Sequence, residues 1–269
     1  MTNMRVISLL LLSLSLAAFS QETPTSPKIG ELVTDRPDFT ESTEVAPKGW
    51  LQWESGFQFD RSGNSHGYTF GAPLLRFGIT KKFELRLATD GVVGQRESGD
   101  PLLRGMADSS IGFKYKLVGE SKWFPAFSVI PAVSLPSGHS AYTSSKADPG
   151  VKFAVAKDVP LGFSLSSNFN YNSLSDGIGR YNQNAVTLSV GHGFGERFAG
   201  YWEFYSFDQD ERSSGRMTVF QSGVTTAVGQ NTQLDVSVGR RLTSVGPDWL
   251  VSFGWATRHP LGFTSWFKR

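Results

Sequence analysis

The chain has 269 residues, and its 26 Lys and Arg residues nearly balance its 24 Asp and Glu residues, which gives a net charge of +2. This balance excludes a protein that binds polyanions through bulk charge. The absence of cysteine excludes disulfides, Cys-ligated zinc, iron–sulfur clusters and a thiol nucleophile.

Residues 1–20 have the pattern of a cleaved secretory signal peptide. One basic residue, Arg5, precedes an apolar run over residues 6–19, and Ala18 and Ser20 supply the small residues before the cleavage point. We therefore expect the mature chain to begin near Gln21 and to be exported. A membrane anchor or a core helix is the alternative, but the apolar run is short and contains three serines.

Residues 21–48 follow as a polar leader that contains four prolines and shows neither a helical nor a strand period. Five charged side chains form a strip in its second half: Asp35, Arg36, Asp38, Glu41 and Glu44. Two interpretations stay open. The leader either enters the periplasmic mouth of the following domain as a plug that gates it, or forms a disordered periplasmic tail.

From Trp50 onward the sequence alternates between apolar and polar residues, beginning with Leu51, Trp53, Phe57 and Phe59. This period of two is typical of a strand with two different faces. It recurs to give about twelve predicted strands, each near the 9 to 11 residues that a tilted membrane strand needs. No segment of 12 or more residues has the period of an amphipathic helix, so the chain is predicted to be all-β.

The connections between the strands favour a transmembrane antiparallel barrel of the outer-membrane type over a soluble sandwich. Short predicted turns alternate with longer polar loops, as in barrels with short turns at one end and long loops at the other. The short turns lie at residues 80–82, 118–122, 157–160, 193–197 and 228–231, and the long loops at 60–67, 91–105, 136–150, 173–182, 207–216 and 243–248.

Aromatic residues near the predicted strand ends also fit the girdles of a membrane barrel. They are Trp50, Phe59, Tyr68, Trp123, Tyr171, Tyr181, Phe198, Phe207 and Trp249. We place the barrel at residues 49–258 and a C-terminal tail at residues 259–269, because His259 and Pro260 interrupt the last strand pattern.

The polar face of the strands predicts a narrow lumen of mixed charge. The lumen-facing candidates are Glu54, Arg76, Glu84, Arg86, Lys114, Lys116, Lys152, Glu203, Asp235 and Arg258. A strong charge filter is not indicated, because such a filter needs a ring of one sign. These side chains either pair with one another to fill the lumen or bind solute directly. If the first and last strands close the barrel, Glu54 and Arg258 come from adjacent strands, as do Arg76 and Glu84.

Several segments resemble a family of outer-membrane proteins of the MetA pathway of phenol degradation, often described simply as transporters. The resemblance rests on residues 34–42 (TDRPDFTES), 49–54 (GWLQWE), 75–86 (LRFGITKKFELR) and 135–138 (LPSG), with shorter matches near the end of the chain. It implies an outer-membrane barrel that moves aromatic or other apolar small molecules, and it brings no catalytic residues.

No motif indicates an enzyme, a metal or a cofactor. The sequence has no metal-type spacing, no Gly-Xaa-Ser-Xaa-Gly elbow and no phosphate loop. The four histidines are interpreted as loop, interface or tail residues; His139 beside Ser140 leaves a lipid hydrolase as a remote alternative. We expect passive passage of small molecules, with a plugged structural barrel as the main alternative. The expected partners are outer-membrane lipid, the barrel-assembly machinery and a small solute, and nucleic acid is not among them.

Overall fold

A computed structural model describes residues 31–262 of the chain. The predicted signal peptide over residues 1–20, the start of the leader and residues 263–269 of the tail lie outside the described residues. No helix in the described part has the length and apolar character needed to cross a membrane.

The described residues after the leader form fourteen β-strands and one 3₁₀ turn, Pro160–Gly162. The strands are β1 (Trp50–Ser62), β2 (Ser65–Gly78), β3 (Phe83–Thr89), β4 (Gly91–Glu97), β5 (Leu103–Met106), β6 (Ser109–Val118), β7 (Ala126–Leu135), β8 (Asp148–Val159), β9 (Phe163–Ser175), β10 (Arg180–Phe194), β11 (Phe198–Phe207), β12 (Met217–Ala227), β13 (Thr232–Arg241) and β14 (Trp249–Pro260).

The strands close into one antiparallel barrel. Successive spanning strands pair with one another, and β1 closes the sheet against β14 from Trp50↔Pro260 to Arg61↔Trp249. β3 and β4 pair with the two halves of β2 and are separated only by Asp90, so together they form one spanning strand. β5 and β6 form another, interrupted at residues 107–108. The predicted fold of about twelve spanning strands is therefore confirmed.

Burial along the strands is inverted relative to a soluble sandwich. On β3, the polar side chains Glu84 and Arg86 are 0% and 7% exposed, whereas Leu85 and Leu87 are 43% and 42% exposed. A membrane barrel requires this inversion, because its apolar face contacts lipid and its polar face points into the lumen. The burial therefore decides between the two fold classes that alternation alone leaves open.

The strands are longer than predicted at one end of the barrel. Residues 60–67 are almost entirely strand, joined by a two-residue turn at 63–64, and residues 173–182 contain a turn of only four residues, 176–179. Long connections at this end are limited to residues 136–147, 208–216 and 242–248. The predicted strict alternation of short and long connections is wrong. Polar residues that continue a hairpin beyond the membrane have no apolar period, so the sequence predicts a loop there.

Two further predictions need correction. Phe207, expected in an aromatic girdle, packs inside the barrel against Phe39. The last strand continues to Pro260 rather than ending at residue 258, with His259 opposite Leu51. Pro260, which has no N–H to donate to the ladder, is the residue at which this strand ends.

Placing a charge on the outer face tests this inside-out arrangement. We expect Leu87→Arg, further from the turn at 79–82 than Leu85, to lower the free energy of unfolding in lipid vesicles by about 2–4 kcal/mol, the usual cost of arginine near the middle of a bilayer. Val228→Arg, at an exposed turn residue at the end of the barrel, should cost no more than about 1 kcal/mol. Urea titrations followed by tryptophan fluorescence measure both variants, and equal losses would contradict the assignment of the outer face.

Candidate functional site: the lumen and the leader segment

All ten predicted lumen residues point into the barrel. Eight are buried, with Glu54, Arg76, Glu84, Lys114 and Glu203 at 0% exposure. The side chains of Lys116 and Lys152 remain 19% and 31% exposed. Burial of so many charges is tolerable only if each is paired or hydrogen-bonded, and most of the partners come from the chain that precedes β1.

Residues 31–48, here called the leader segment, run through the lumen without forming a helix or a strand. Asp35 in this segment is surrounded by three strand cations. Its carboxylate lies 2.7 Å from Arg86, 2.9 Å from Lys114 and 3.4 Å from Arg76. Burial alone raises the pKa of Asp35, but the three cations outweigh it and hold the pKa well below its ordinary value.

Two more leader carboxylates contact lumen cations. Glu41 accepts hydrogen bonds from Arg86 at 2.7 Å and from Lys152, and Glu44 lies 2.5 Å from Lys116. Burial of Glu41 is again outweighed by its cations, so that its pKa falls to about 2. Glu41 therefore carries its charge against the cations of β3 and β8, and Glu44 forms an ion pair with a cation of β6.

Asp38 has a different environment. Burial, followed by the neighbouring Glu203 carboxylate, raises the pKa of Asp38 well above its ordinary value. The expectation that the leader carboxylates pair with lumen cations does not describe this residue, which lies beside an anion on the opposite wall.

The opposite wall holds the leader segment through acidic strand residues. Glu203 on β11 accepts the N–H groups of Phe39 and Thr40 at 2.8 and 2.6 Å and the Thr40 hydroxyl at 2.5 Å. Arg36 crosses the lumen to Asp235 on β13, at 3.0 Å. The leader segment therefore touches both walls, with its carboxylates on one and its amides and guanidinium on the other.

Two facing glycines provide the space for Arg36. Gly56 on β1 lies opposite Gly254 on β14. A Cβ atom added at Gly254 would lie 2.3 Å from the Arg36 guanidinium, and one at Gly56 would lie 2.5 Å from it. These strand glycines therefore allow a close approach by a side chain from elsewhere in the chain.

Strand side chains also donate hydrogen bonds to backbone carbonyl groups of the leader segment, which is not paired in a β-ladder. Arg76 donates to the carbonyls of Val33 and Glu44, Ser128 donates to Thr43, and Gln221 donates to Pro37. Ser128 and Gln221 were not predicted as site residues, because an uncharged polar residue on a strand does not stand out in the sequence.

The charge pairs expected within the strands are only partly present. Arg76 lies 2.9 Å from Glu84, across the first tight turn. Glu54 lies 2.9 Å from Arg76. In the register between β1 and β14, Arg258 lies opposite Gln52. Arg258 instead donates to Asn231 at 3.0 Å and to the Glu31 carbonyl at 3.3 Å.

Phe39 of the leader segment enters an apolar cluster inside the barrel. Four buried residues form its wall: Tyr205, Met217, Val219 and Leu250. The alternation on β11 hides this cluster, because Trp202 and Phe204 occupy one face of the strand and Tyr201 and Tyr205 the other. The sequence signal for this cluster is that β11 has aromatic residues at both odd and even positions, and therefore on both of its faces.

Two cavities lie along the strands, and the larger of them adjoins the leader segment. A cavity of about 680 Å³ lies between the leader segment and the inner faces of β7–β13, with Asp38, Tyr201 and Gln233 in its lining. A smaller one of about 280 Å³ is lined by Asp60, Thr69 and Tyr142, towards the end that carries the longer loops. The lumen is thus partly filled, with the leader segment lining the larger cavity.

The contacts of His139 and His192 are with backbone and aromatic groups. His139 Nδ1 lies 3.2 Å from the N–H of Ala141, and His192 packs between Phe163 and Phe194. Within residues 31–262, no group of three or more His, Asp or Glu side chains is arranged to hold a metal ion.

The Arg36 contact can be tested with a cysteine at Thr43, in a chain that has none. Because Thr43 is 3% exposed, we expect Thr43→Cys to react slowly with a charged thiol reagent. Adding Gly254→Ala should displace Arg36 and raise the labelling rate several-fold. In an Arg36→Ala background the glycine substitution should add nothing, and an equal increase in both backgrounds would mean that it acts on the barrel wall instead.

The described geometry can be compared with known proteins. The sequence family described as "Putative MetA-pathway of phenol degradation" matches residues 34–258. The fold is similar to that of the COG4313 outer membrane channel from Pseudomonas putida F1, at a TM-score of 0.61 and 12% identity, covering 81% of this chain and 98% of that one. A NanC porin is similar at a TM-score of 0.49 and 11% identity, covering 77% and 98%. Among curated proteins no match was found. Since the family match includes the leader segment from Thr34 and nearly the whole barrel, the chain belongs to the family described as the MetA pathway of phenol degradation.

Proposed function

We propose that this protein is an outer-membrane channel for the passive passage of small molecules, aromatic and other apolar compounds among them, and that the leader segment is its plug. The observation that carries the proposal is that the leader segment supplies counter-charges to cations of the lumen wall. Asp35, Glu41 and Glu44 contact five strand cations, Arg76, Arg86, Lys114, Lys116 and Lys152.

A purely structural barrel has no need of this arrangement, because strand residues can neutralise one another within the wall. Here Arg76 is paired with the strand acids Glu54 and Glu84, and Arg86 with Glu84. The ion pairs of Lys114, Lys116 and Lys152 in the described residues are with the leader segment, which is not part of the sheet. A segment that contacts the barrel through side chains and belongs to no strand ladder can leave without breaking the sheet. This supports a removable plug rather than a permanent core.

The solute class rests on the family description and on the size of the barrel. Twelve strands lie between the eight that side chains can fill and the sixteen or more that leave a wide channel, which fits the passage of small molecules. The family description names phenol degradation, and a similar fold belongs to a protein described as an outer membrane channel. We propose that export through the signal peptide at residues 1–20, insertion by the barrel-assembly machinery and contact with outer-membrane lipid follow from this role.

A second candidate is a plugged structural barrel that transports nothing. The number of contacts between the leader segment and both walls favours it, since Glu203 alone accepts three hydrogen bonds from Phe39 and Thr40. Conductance separates the two candidates, because a barrel without a path through it stays silent.

Deleting residues 22–45 tests the plug. We expect the deleted protein to show a several-fold higher single-channel conductance in planar bilayers than the full chain, because the segment that fills the lumen is gone. A matched deletion of residues 22–30, which leaves the leader segment intact, should behave as the full chain does. Equal conductance of all three proteins would discard the plug, and silence of all three would favour the structural barrel.

The same deletion should change ion selectivity. Residues 22–45 contain six acidic and two basic side chains, so their loss leaves the lumen cations without their counter-charges. We expect the reversal potential in a KCl gradient to shift toward anion preference. A shift toward cations, or none, would mean that these carboxylates do not neutralise the conducting path.

A further inference from the structure

The apolar cluster around Phe39 is unusual for its place in the fold. The inner wall on β1, β2, β3 and β6 is charged, whereas Tyr205, Met217, Val219 and Leu250 bury an apolar surface on β11, β12 and β14. Their exposures are 8%, 8%, 0% and 2%. Lumen-facing positions of a membrane barrel are ordinarily polar, so an apolar pocket there needs an explanation beyond packing against lipid.

The present occupant of this pocket is a single benzene ring. The Phe39 ring centroid lies 4.8 Å from that of Tyr205, tilted by 30°, and 5.3 Å from that of Phe207 in an edge-on arrangement. The Lys152 ammonium is 5.9 Å from the same centroid. These are the ring–ring and cation–ring geometries that favour an aromatic occupant over an aliphatic one of equal size.

Unpaired amides lie on the same stretch of wall. Asn170 on β9 is opposite Ala185 on β10, which is opposite Phe207 on β11, so this wall is continuous with the ring pocket. Asn168 and Asn170 are 1% and 2% exposed. The Asn168 Nδ2 and Oδ1 atoms and the Asn170 Oδ1 atom have no hydrogen-bond partner in the described part of the chain.

Buried polar atoms without partners are costly and rare in proteins, and these three atoms cannot be accounted for by the contacts of the leader segment. A hydroxyl group on a solute both donates and accepts a hydrogen bond. A molecule that combines one aromatic ring with such a group would therefore use features of the wall that the leader segment leaves unused.

We propose that the Phe39 pocket is a binding site for a monocyclic aromatic solute with a hydrogen-bonding group, and that Phe39 occupies it as an internal substitute that the solute displaces. The proposal rests on the proposed function as a channel. It adds the site at which the solute binds and a reason for the solute to release the plug, because the ring of the solute and Phe39 exclude each other.

Competition between the solute and the Phe39 ring leads to a quantitative expectation for the affinity of the solute. A tethered ring that occupies the site most of the time lowers the apparent affinity for the solute by the fraction of time for which the site is free. Removing the Phe39 ring should therefore tighten solute binding, although the substitution removes an apolar contact and adds no new contact.

The experiment measures binding of phenol to the purified full-length protein in detergent by titration calorimetry. We expect Phe39→Ala to bind phenol at least about tenfold more tightly than the unchanged protein. Val33→Ala removes an apolar leader side chain that is 39% exposed and lies outside the cluster, and it should leave the phenol affinity unchanged. Cyclohexanol, which has the same hydroxyl but no aromatic ring, should bind several-fold more weakly than phenol to Phe39→Ala.

A second pair of variants tests the amides. Asn168→Leu with Asn170→Leu should weaken the binding of phenol several-fold and leave the binding of toluene, which has no hydroxyl, unchanged. Heat-modifiable gel mobility verifies that each variant is a folded barrel, and Phe39→Leu replaces Phe39→Ala if the latter does not fold.

Equal phenol affinity of the Phe39 variant and the unchanged protein would overturn the proposal, as would equal affinity for phenol and cyclohexanol. Both results concern binding and need no transport. The conductance of the protein lacking residues 22–45 tests the channel separately, so a failure of this site and a failure of the proposed function are distinguishable.

Discussion

The neutralisation of buried strand cations by the leader segment is the interaction on which the interior depends. Lys114 is completely buried and lies 2.9 Å from Asp35. Removing a charge from water is tolerable only when a partner is within contact distance and the remaining hydrogen bonds are made. Because Asp35 serves Arg76 and Arg86 as well, one carboxylate outside the sheet completes the electrostatics of three strands.

The two halves of the lumen are consequently different in kind. The wall of β1–β6 binds the leader segment through charges, whereas the wall of β11, β12 and β14 binds it through an apolar cluster around Phe39 and through Glu203. Charge pairs give the leader segment its position, since each carboxylate has a specific cation, and the ring adds contact area that any other ring of similar size could supply. The charge pairs therefore set the position of the leader segment, whereas the ring of Phe39 makes the contact that another ring can replace.

Sequence reasoning predicted the barrel and the inward orientation of its charged residues because both follow from a period of two. Arg86 and Lys114, for example, each lie between two apolar residues, so the alternation places their side chains on the face opposite to those neighbours. The position of the leader segment could not be predicted in the same way, since a segment without a period carries no information about what surrounds it. The apolar cluster was missed for a related reason: Met217 and Val219 share their residue types with the lipid-facing positions. Strand ends were misjudged at residues 60–67 because polar hairpins beyond the membrane have no apolar face to reveal them.

Arg36 lies over Gly56 and Gly254, the facing residues of the first and last strands, and it reaches Asp235 on the strand beyond. These three positions come together only when β1 and β14 are joined. The site for this guanidinium therefore does not exist in an open sheet, and the leader segment cannot adopt its final path until the cylinder is sealed. The leader segment is thus synthesised before the strands but reaches its final position only after they have closed.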